Sequence, residues 1–80
     1  MTRITEPITA SGIRTTDDGL VIVLADRELA IRWEDCSPRL AAATPDERRY
    51  AELSPGGYGI HWPLIDEDLT IGGLVARVDA

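Results

Sequence analysis

The chain contains no lysine, phenylalanine, asparagine or glutamine, and its single cysteine is Cys36. One thiol excludes an internal disulfide and fits a reducing compartment, so cytoplasmic residence is the default expectation. The opening Met-Thr-Arg-Ile lacks the charged-then-apolar layout of a secretory leader. No apolar run approaches the ~20 residues that cross a bilayer, which argues against a membrane partner. Positive charge is scarce as well: eight arginines face 14 acids, for a formal net charge of −6. That balance repels polyphosphate at long range and argues against direct nucleic-acid binding. Arginine without lysine, in a chain also lacking asparagine and glutamine, matches the coding bias of a GC-rich genome and carries no chemistry.

The 80 residues suffice for one domain and one core, with 44% hydrophobic and 28% charged residues. A single domain over 1–80 is expected, its core spanning about 8–75 and its termini frayed. Ile8 to Thr15 reads as a weak strand. Thr16-Asp17-Asp18-Gly19 follows, with an Asp-Gly pair suited to positive φ in a tight hairpin turn. Leu20-Val21-Ile22-Val23-Leu24 is apolar on both faces, the pattern of a strand covered on each side. After Ala25-Asp26-Arg27 the sequence alternates: Leu29, Ile31 and Trp33 point one way, Glu28, Arg32 and Glu34 the other. These segments predict an antiparallel three-strand meander.

Ser37-Pro38 opens a short helix continued by Leu40 and Ala41 to Ala43, since serine accepts from a free backbone N–H and proline at the first helical position needs no donor. Thr44-Pro45-Asp46-Glu47 adds a capping box and predicts a helix from about Pro45 to Leu53, with Glu47, Tyr50 and Leu53 inward and Arg48 and Arg49 toward water. Ser54-Pro55-Gly56-Gly57 stops it. Tyr58 to Trp62 then reads as a strand returning to the same sheet, ended by Pro63. Thr70 caps a last helical turn bearing Ile71, Leu74 and Val75, and the tail from Ala76 frays. The expected fold class is α+β: a small antiparallel sheet, the meander plus one returning strand, packed with two short helical segments. Trp33, Trp62, Leu29, Ile31, Ile22 and Leu40 are its expected core.

His61 is an imidazole able to serve as base or ligand. The acidic run Asp66-Glu67-Asp68 lacks the alternating layout of a calcium loop, and capping or solvation of the following helix is its plainer role. Cys36, beside Glu34 and Asp35, reads as an inert thiol. Arg39 is expected to pair with Glu34, Asp35 or the acidic run. No cofactor is implied.

The pieces Ser37-Pro38-Arg39-Leu40, Ala43-Thr44-Pro45-Asp46-Glu47-Arg48, Gly57-Tyr58-Gly59-Ile60-His61-Trp62-Pro63, Asp66-Glu67-Asp68-Leu69-Thr70 and Gly73-Leu74 resemble, in order and spacing, the bacterial domain-of-unknown-function family 2442. The resemblance covers about residues 8 to 75. It implies a small stand-alone protein of the kind encoded beside a short partner, in the manner of toxin–antitoxin pairs. Two function classes follow. The first is a non-catalytic protein-interaction module, antitoxin-like, with Leu64 and Ile65 as apolar anchor and Asp66, Glu67 and Asp68 as charged recognition. The second is a small hydrolase or metal-dependent enzyme centred on His61 with Asp66 and Asp68. A strand as apolar as Leu20 to Leu24 in a short sheet also predicts a protein partner or a homodimer.

Overall fold

The computed structural model describes residues 8–79. An antiparallel meander opens it, with strands β1 (Gly12–Thr15), β2 (Gly19–Val23) and β3 (Glu28–Arg32) in the order β1-β2-β3. The pleat of β3 buries Leu29 and Ile31 and exposes Glu28, Ala30 and Arg32, as its alternation predicts. In β2, Leu20 and Ile22 are buried while Val21 and Val23 are half-buried, so this strand is fully covered on one face and not on both. Arg14 crosses that second face to pair with Glu28 at 3.1 Å.

The β1–β2 turn differs from the expected one in its glycine. Among the described residues only Asp66, Gly56 and Gly57 have positive φ. Gly19 does not. The turn is closed instead by the Thr16 amide donating to the Gly19 carbonyl at 2.8 Å, while the Thr16 hydroxyl accepts from the Asp18 and Gly19 amides at 3.2 and 3.0 Å. Gly19 is required by proximity: a Cβ there would sit 2.1 Å from the Ile31 carbonyl oxygen.

Three short helices follow: α1 (Trp33–Cys36), α2 (Pro38–Ala41) and α3 (Pro45–Arg49). The Ser37 hydroxyl accepts from the Leu40 amide, and Thr44 and Glu47 form the reciprocal capping box. Helix α3 stops at Arg49 and does not run to Leu53. The Trp62 indole takes the Arg48 carbonyl at 3.2 Å, and half-buried Leu53 pairs with Ile60 across a strand ladder. Tyr50, expected inward, is exposed. Arg48, expected outward, turns in: it donates to the Leu40 and Ala41 carbonyls at 3.0 and 2.9 Å, and its guanidinium lies 5.6 Å from the Trp33 ring. The last carbonyls of α2 are thereby satisfied by a cation that also packs on an indole.

The returning strand is paired, as expected, but within a second sheet. Strands β4 (Glu52–Leu53), β5 (Gly59–Trp62) and β6 (Glu67–Thr70) form an antiparallel array in the order β4-β5-β6. Helix α4 (Ile71–Asp79) closes the chain, with the Thr70 hydroxyl accepting from the Gly73 amide at 3.0 Å. The helix continues past Ala76. Arg77 donates to the Asp35 and Cys36 carbonyls, and Asp79 pairs with Arg27 at 2.7 Å, which carries the helix to its described end.

One cluster fills the space between the two sheets, and all six expected core residues are buried in it. At its centre Trp33 and Trp62 meet edge to face, ring centroids 6.4 Å apart at 82°. Each indole N–H is satisfied, Trp33 by the Thr16 carbonyl and Trp62 by that of Arg48. The α+β class and the meander are therefore as the sequence reads. No helix among the described residues is long and apolar enough to cross a membrane.

Candidate functional site: the β5–β6 hairpin

Alternation along β5 sends Ile60 and Trp62 into the core and leaves His61 on the outer face. The registers place Glu52 of β4 on one side of His61 and Asp68 of β6 on the other, so one imidazole stands between two carboxylate residues. His61 Nδ1 and Asp68 Oδ1 are 2.8 Å apart. Residues 63–66 form the connection from Trp62 to Glu67, and Asp66 within it adopts φ 51. That left-handed conformation is one aspartate accepts better than most side chains. As a result, ligand-type atoms of His61, Asp66 and Asp68 lie within 4.8 Å of one another.

The acidic run does not cap α4, and its three residues do not share a face. Glu67 and Asp68 belong to β6, where Glu67 is half-buried opposite Trp62 and Asp68 is exposed. Asp66 is exposed in the connection. Leu64 and Ile65 also divide: Leu64 is 56% exposed, whereas Ile65 packs against the core cluster.

Among the described residues Arg39 pairs with no carboxylate. Its guanidinium donates to the carbonyls of Ile65 and Asp66 at 3.0 and 3.5 Å, tying α2 to the hairpin connection. Glu34 and Asp35, its other expected partners, lie against Arg32 instead. Two backbone carbonyls in a tight connection need a donor more than the well-hydrated carboxylates do. Glu52 is the neighbour of His61 that sequence reasoning missed. A two-residue strand carries no periodic signal, and the capping box upstream extends the helical pattern across it.

The chemistry open to this cluster is bounded by its exposure. His61 and Asp68 have the atoms of a base and its orienting carboxylate, but Asp68 is 75% exposed and the pair stands on an open sheet face. The adjoining depression, about 190 Å³, is lined by Ser54, Gly59, Ile60, His61, Asp68, Leu69 and Thr70. Its serine accepts the Gly59 amide at 3.0 Å, which uses Ser54 to close a turn. Cys36 lies elsewhere, buried, its thiol pushed up to about 11 by burial and then by the Asp35 charge. It is not poised as a nucleophile.

The family model described as "Protein of unknown function (DUF2442)" matches residues 10–80. The chain belongs to this family. Two solved structures share the DUF2442 chain's fold. A protein of unknown function from Rhodospirillum rubrum is 26% identical, with TM-score 0.77, covering 89% of this chain and 88% of that one. An uncharacterized protein from Chromobacterium violaceum is 30% identical, with TM-score 0.70, covering 86% of this chain and 65% of that one. No curated protein matches the DUF2442 chain.

Proposed function

We propose that the protein is a non-catalytic interaction module and that the outer side of the β5–β6 hairpin is its binding face. The observation that carries this reading is Leu64, 56% exposed on a connection that Arg39 ties to α2 and that also bears the exposed Asp66. An apolar anchor beside fixed negative charge suits a partner presenting an apolar pocket edged with arginine or lysine. Because the connection is tied to α2, little ordering accompanies docking. An antitoxin-like place in a two-protein pair is the same reading set in a cellular context, with the cytoplasm as its compartment.

The test compares capture by the tagged native chain with capture by Leu64→Asp in the cells that encode it. The reading expects one partner lost from the variant, with its melting unchanged and the native complex weakening as salt rises. Equal recovery by both proteins overturns it.

A second reading is favoured by the convergence of His61, Asp66 and Asp68: a divalent-cation site using one imidazole and two carboxylates. It asks the cation to displace the direct His61–Asp68 contact and to bind where water competes. Calorimetric titration with zinc decides it. The reading expects saturable heat abolished by His61→Ala, and heat that survives His61→Ala counts against it.

A further inference from the structure

Strand β3 is an edge strand, and the order of its side chains makes that edge self-complementary. The Leu24 amide donates to the Arg27 carbonyl at 2.8 Å and the Trp33 amide to the Asp18 carbonyl at 3.4 Å. These two contacts fix the alternation of the antiparallel ladder between β2 and β3. Leu29 and Ile31 bond to β2. The backbone N–H and C=O groups of Glu28, Ala30 and Arg32 therefore point to the free edge. That edge opens onto a depression of about 490 Å³, whose lining includes Ala30, Ile31 and Arg32 and, from α4, Arg77 and Val78.

We propose that β3 pairs antiparallel with β3 of a second copy of this chain, on a two-fold axis through Ala30, joining the two meanders into one continuous sheet. In that register Ala30 faces its own counterpart, Glu28 faces the second copy's Arg32, and Arg32 faces its Glu28. All three are bonded pairs, so every free edge group of these residues finds a partner. Opposite charges meet directly at both ends of the ladder, which favours this register over slipped ones. Sliding one strand by two residues sets Ala30 against Glu28 or Arg32 and loses both ion pairs, and sliding it by four sets Glu28 or Arg32 against its own counterpart. At the centre, Ala30 is exposed and small, and it leaves room for the approach of two backbones.

The two sheet faces support the same arrangement. On the outer face Val21 lies opposite Ala30, so pairing extends a half-buried apolar strip across the axis. On the inner face Leu29 of each copy comes opposite Ile31 of the other. Val78, 43% exposed, lines the same depression and offers an apolar group near this edge. Glu28 and Arg32 already hold Arg14 and Asp35 through exposed contacts of 3.1 Å each, so the cross-strand charges act by selection: a uniformly charged strand sets a like charge against one of them, and a neutral strand gains neither pair. An isologous contact of this kind uses one patch twice and closes on itself. It involves no residue of the β5–β6 hairpin, so it stands or falls separately from the binding face proposed above.

The experiment is sedimentation equilibrium of the full chain across roughly 1 µM to 1 mM, with Glu28→Arg and Arg32→Glu studied alone and mixed. Each variant alone sets like charges opposite each other at both ends of the ladder. Self-association is expected to weaken on the order of tenfold to a hundredfold. Mixed in equal amounts, the two variants restore complementarity at both ends, and a heterodimer is expected with the native dissociation constant. Ala30→Pro, which removes an edge-facing N–H and none of the β2–β3 bonds, is expected to be monomeric with its meander folded. A native chain that is monomeric throughout overturns the proposal, as does a dimer indifferent to both charge variants or a mixture that fails to associate while each variant melts as the native protein does.

Discussion

The two sheets have the same strand count and pairing sense, yet their outer faces are built of opposite materials. The meander shows half-buried Val21 and Val23 with Ala30, strapped by the Arg14–Glu28 pair. The second sheet shows Glu52, His61 and Asp68 in one cross-strand row. A strip of Val21, Val23 and Ala30 bordered by paired charges of both signs suits a copy of the same chain, whereas a row of acids around one imidazole suits a different, basic molecule. Both faces rest on one shared core, so substitutions that separate core, edge and hairpin test whether the two surfaces are independent.

The largest effect is expected where the sheets meet. Trp62→Ala removes the edge-to-face partner of Trp33 and the donor to the Arg48 carbonyl. A loss of about 3–5 kcal/mol follows from deleting a buried indole, enough to erase much of the ~4–12 kcal/mol typical of a domain this size. Urea denaturation with near-ultraviolet dichroism measures it. If Trp62→Ala melts like the native chain, the sheets do not share a core and the comparison fails.

A smaller effect separates the meander's turn from its edge. Gly19→Ala drives a Cβ to 2.1 Å from the Ile31 carbonyl, while at Gly12 an added Cβ meets nothing within 4 Å. The first substitution is expected to cost about 1–3 kcal/mol by forced backbone movement, the second less than about 0.5 kcal/mol. Equal melting of the two variants would show that β2 and β3 are not held so closely at this end.

The contrast also explains what was legible in the sequence. The alternation of Leu29 and Ile31 against Glu28 and Arg32 works because one face of β3 is buried, and it places the meander correctly; Trp33 is buried as the pattern predicts, but as the first residue of α1 and not as a strand residue. In the second sheet the signals are short or polar. Strand β4 has two residues, β6 reads Glu-Asp-Leu-Thr, and a strong capping box upstream extends helix across Glu52. The hairpin residues were named from their chemistry, but their division between inside and outside came from a left-handed Asp66 that no periodicity announces. Arg39 and Arg48 were misread for a shared reason. Backbone carbonyls at a helix end and in a tight connection recruit guanidinium groups that the sequence pattern gives to carboxylates for Arg39 and to water for Arg48.

Cys36 gives a pH-dependent test of the core near α1. Its thiol is held up to about 11, against an ordinary value of 9.0, because burial disfavours the thiolate and Asp35 adds repulsion. The unfolded chain therefore releases this proton first as pH rises. Stability associated with the neutral buried thiol is intact below pH 9 and declines between pH 9 and about 11. Cys36→Ala is expected to flatten that decline, and the native thiol is expected to resist iodoacetamide at pH 8 until the chain is unfolded. Rapid alkylation of the folded protein would place Cys36 outside the core.

The smallest expected stability effect lies on the hairpin, and it is the one that isolates recognition from folding. Asp66 combines a backbone role, φ 51, with an exposed carboxylate. Replacing it by alanine changes both, since alanine accepts the left-handed region poorly and loses up to about 1 kcal/mol there. Asparagine keeps the local hydrogen-bonding side chain that tolerates this conformation and removes only the charge. Asp66→Asn with Asp68→Asn is thus expected to melt within about 0.5 kcal/mol of the native chain. It should still self-associate through β3, because no edge group is altered. Binding of the hairpin partner should weaken and lose much of its salt dependence, since the complementary charge has gone. A double variant that binds its partner as tightly and with the same salt dependence as the native chain would assign the acids to solvation, leaving Leu64 alone to support the binding face.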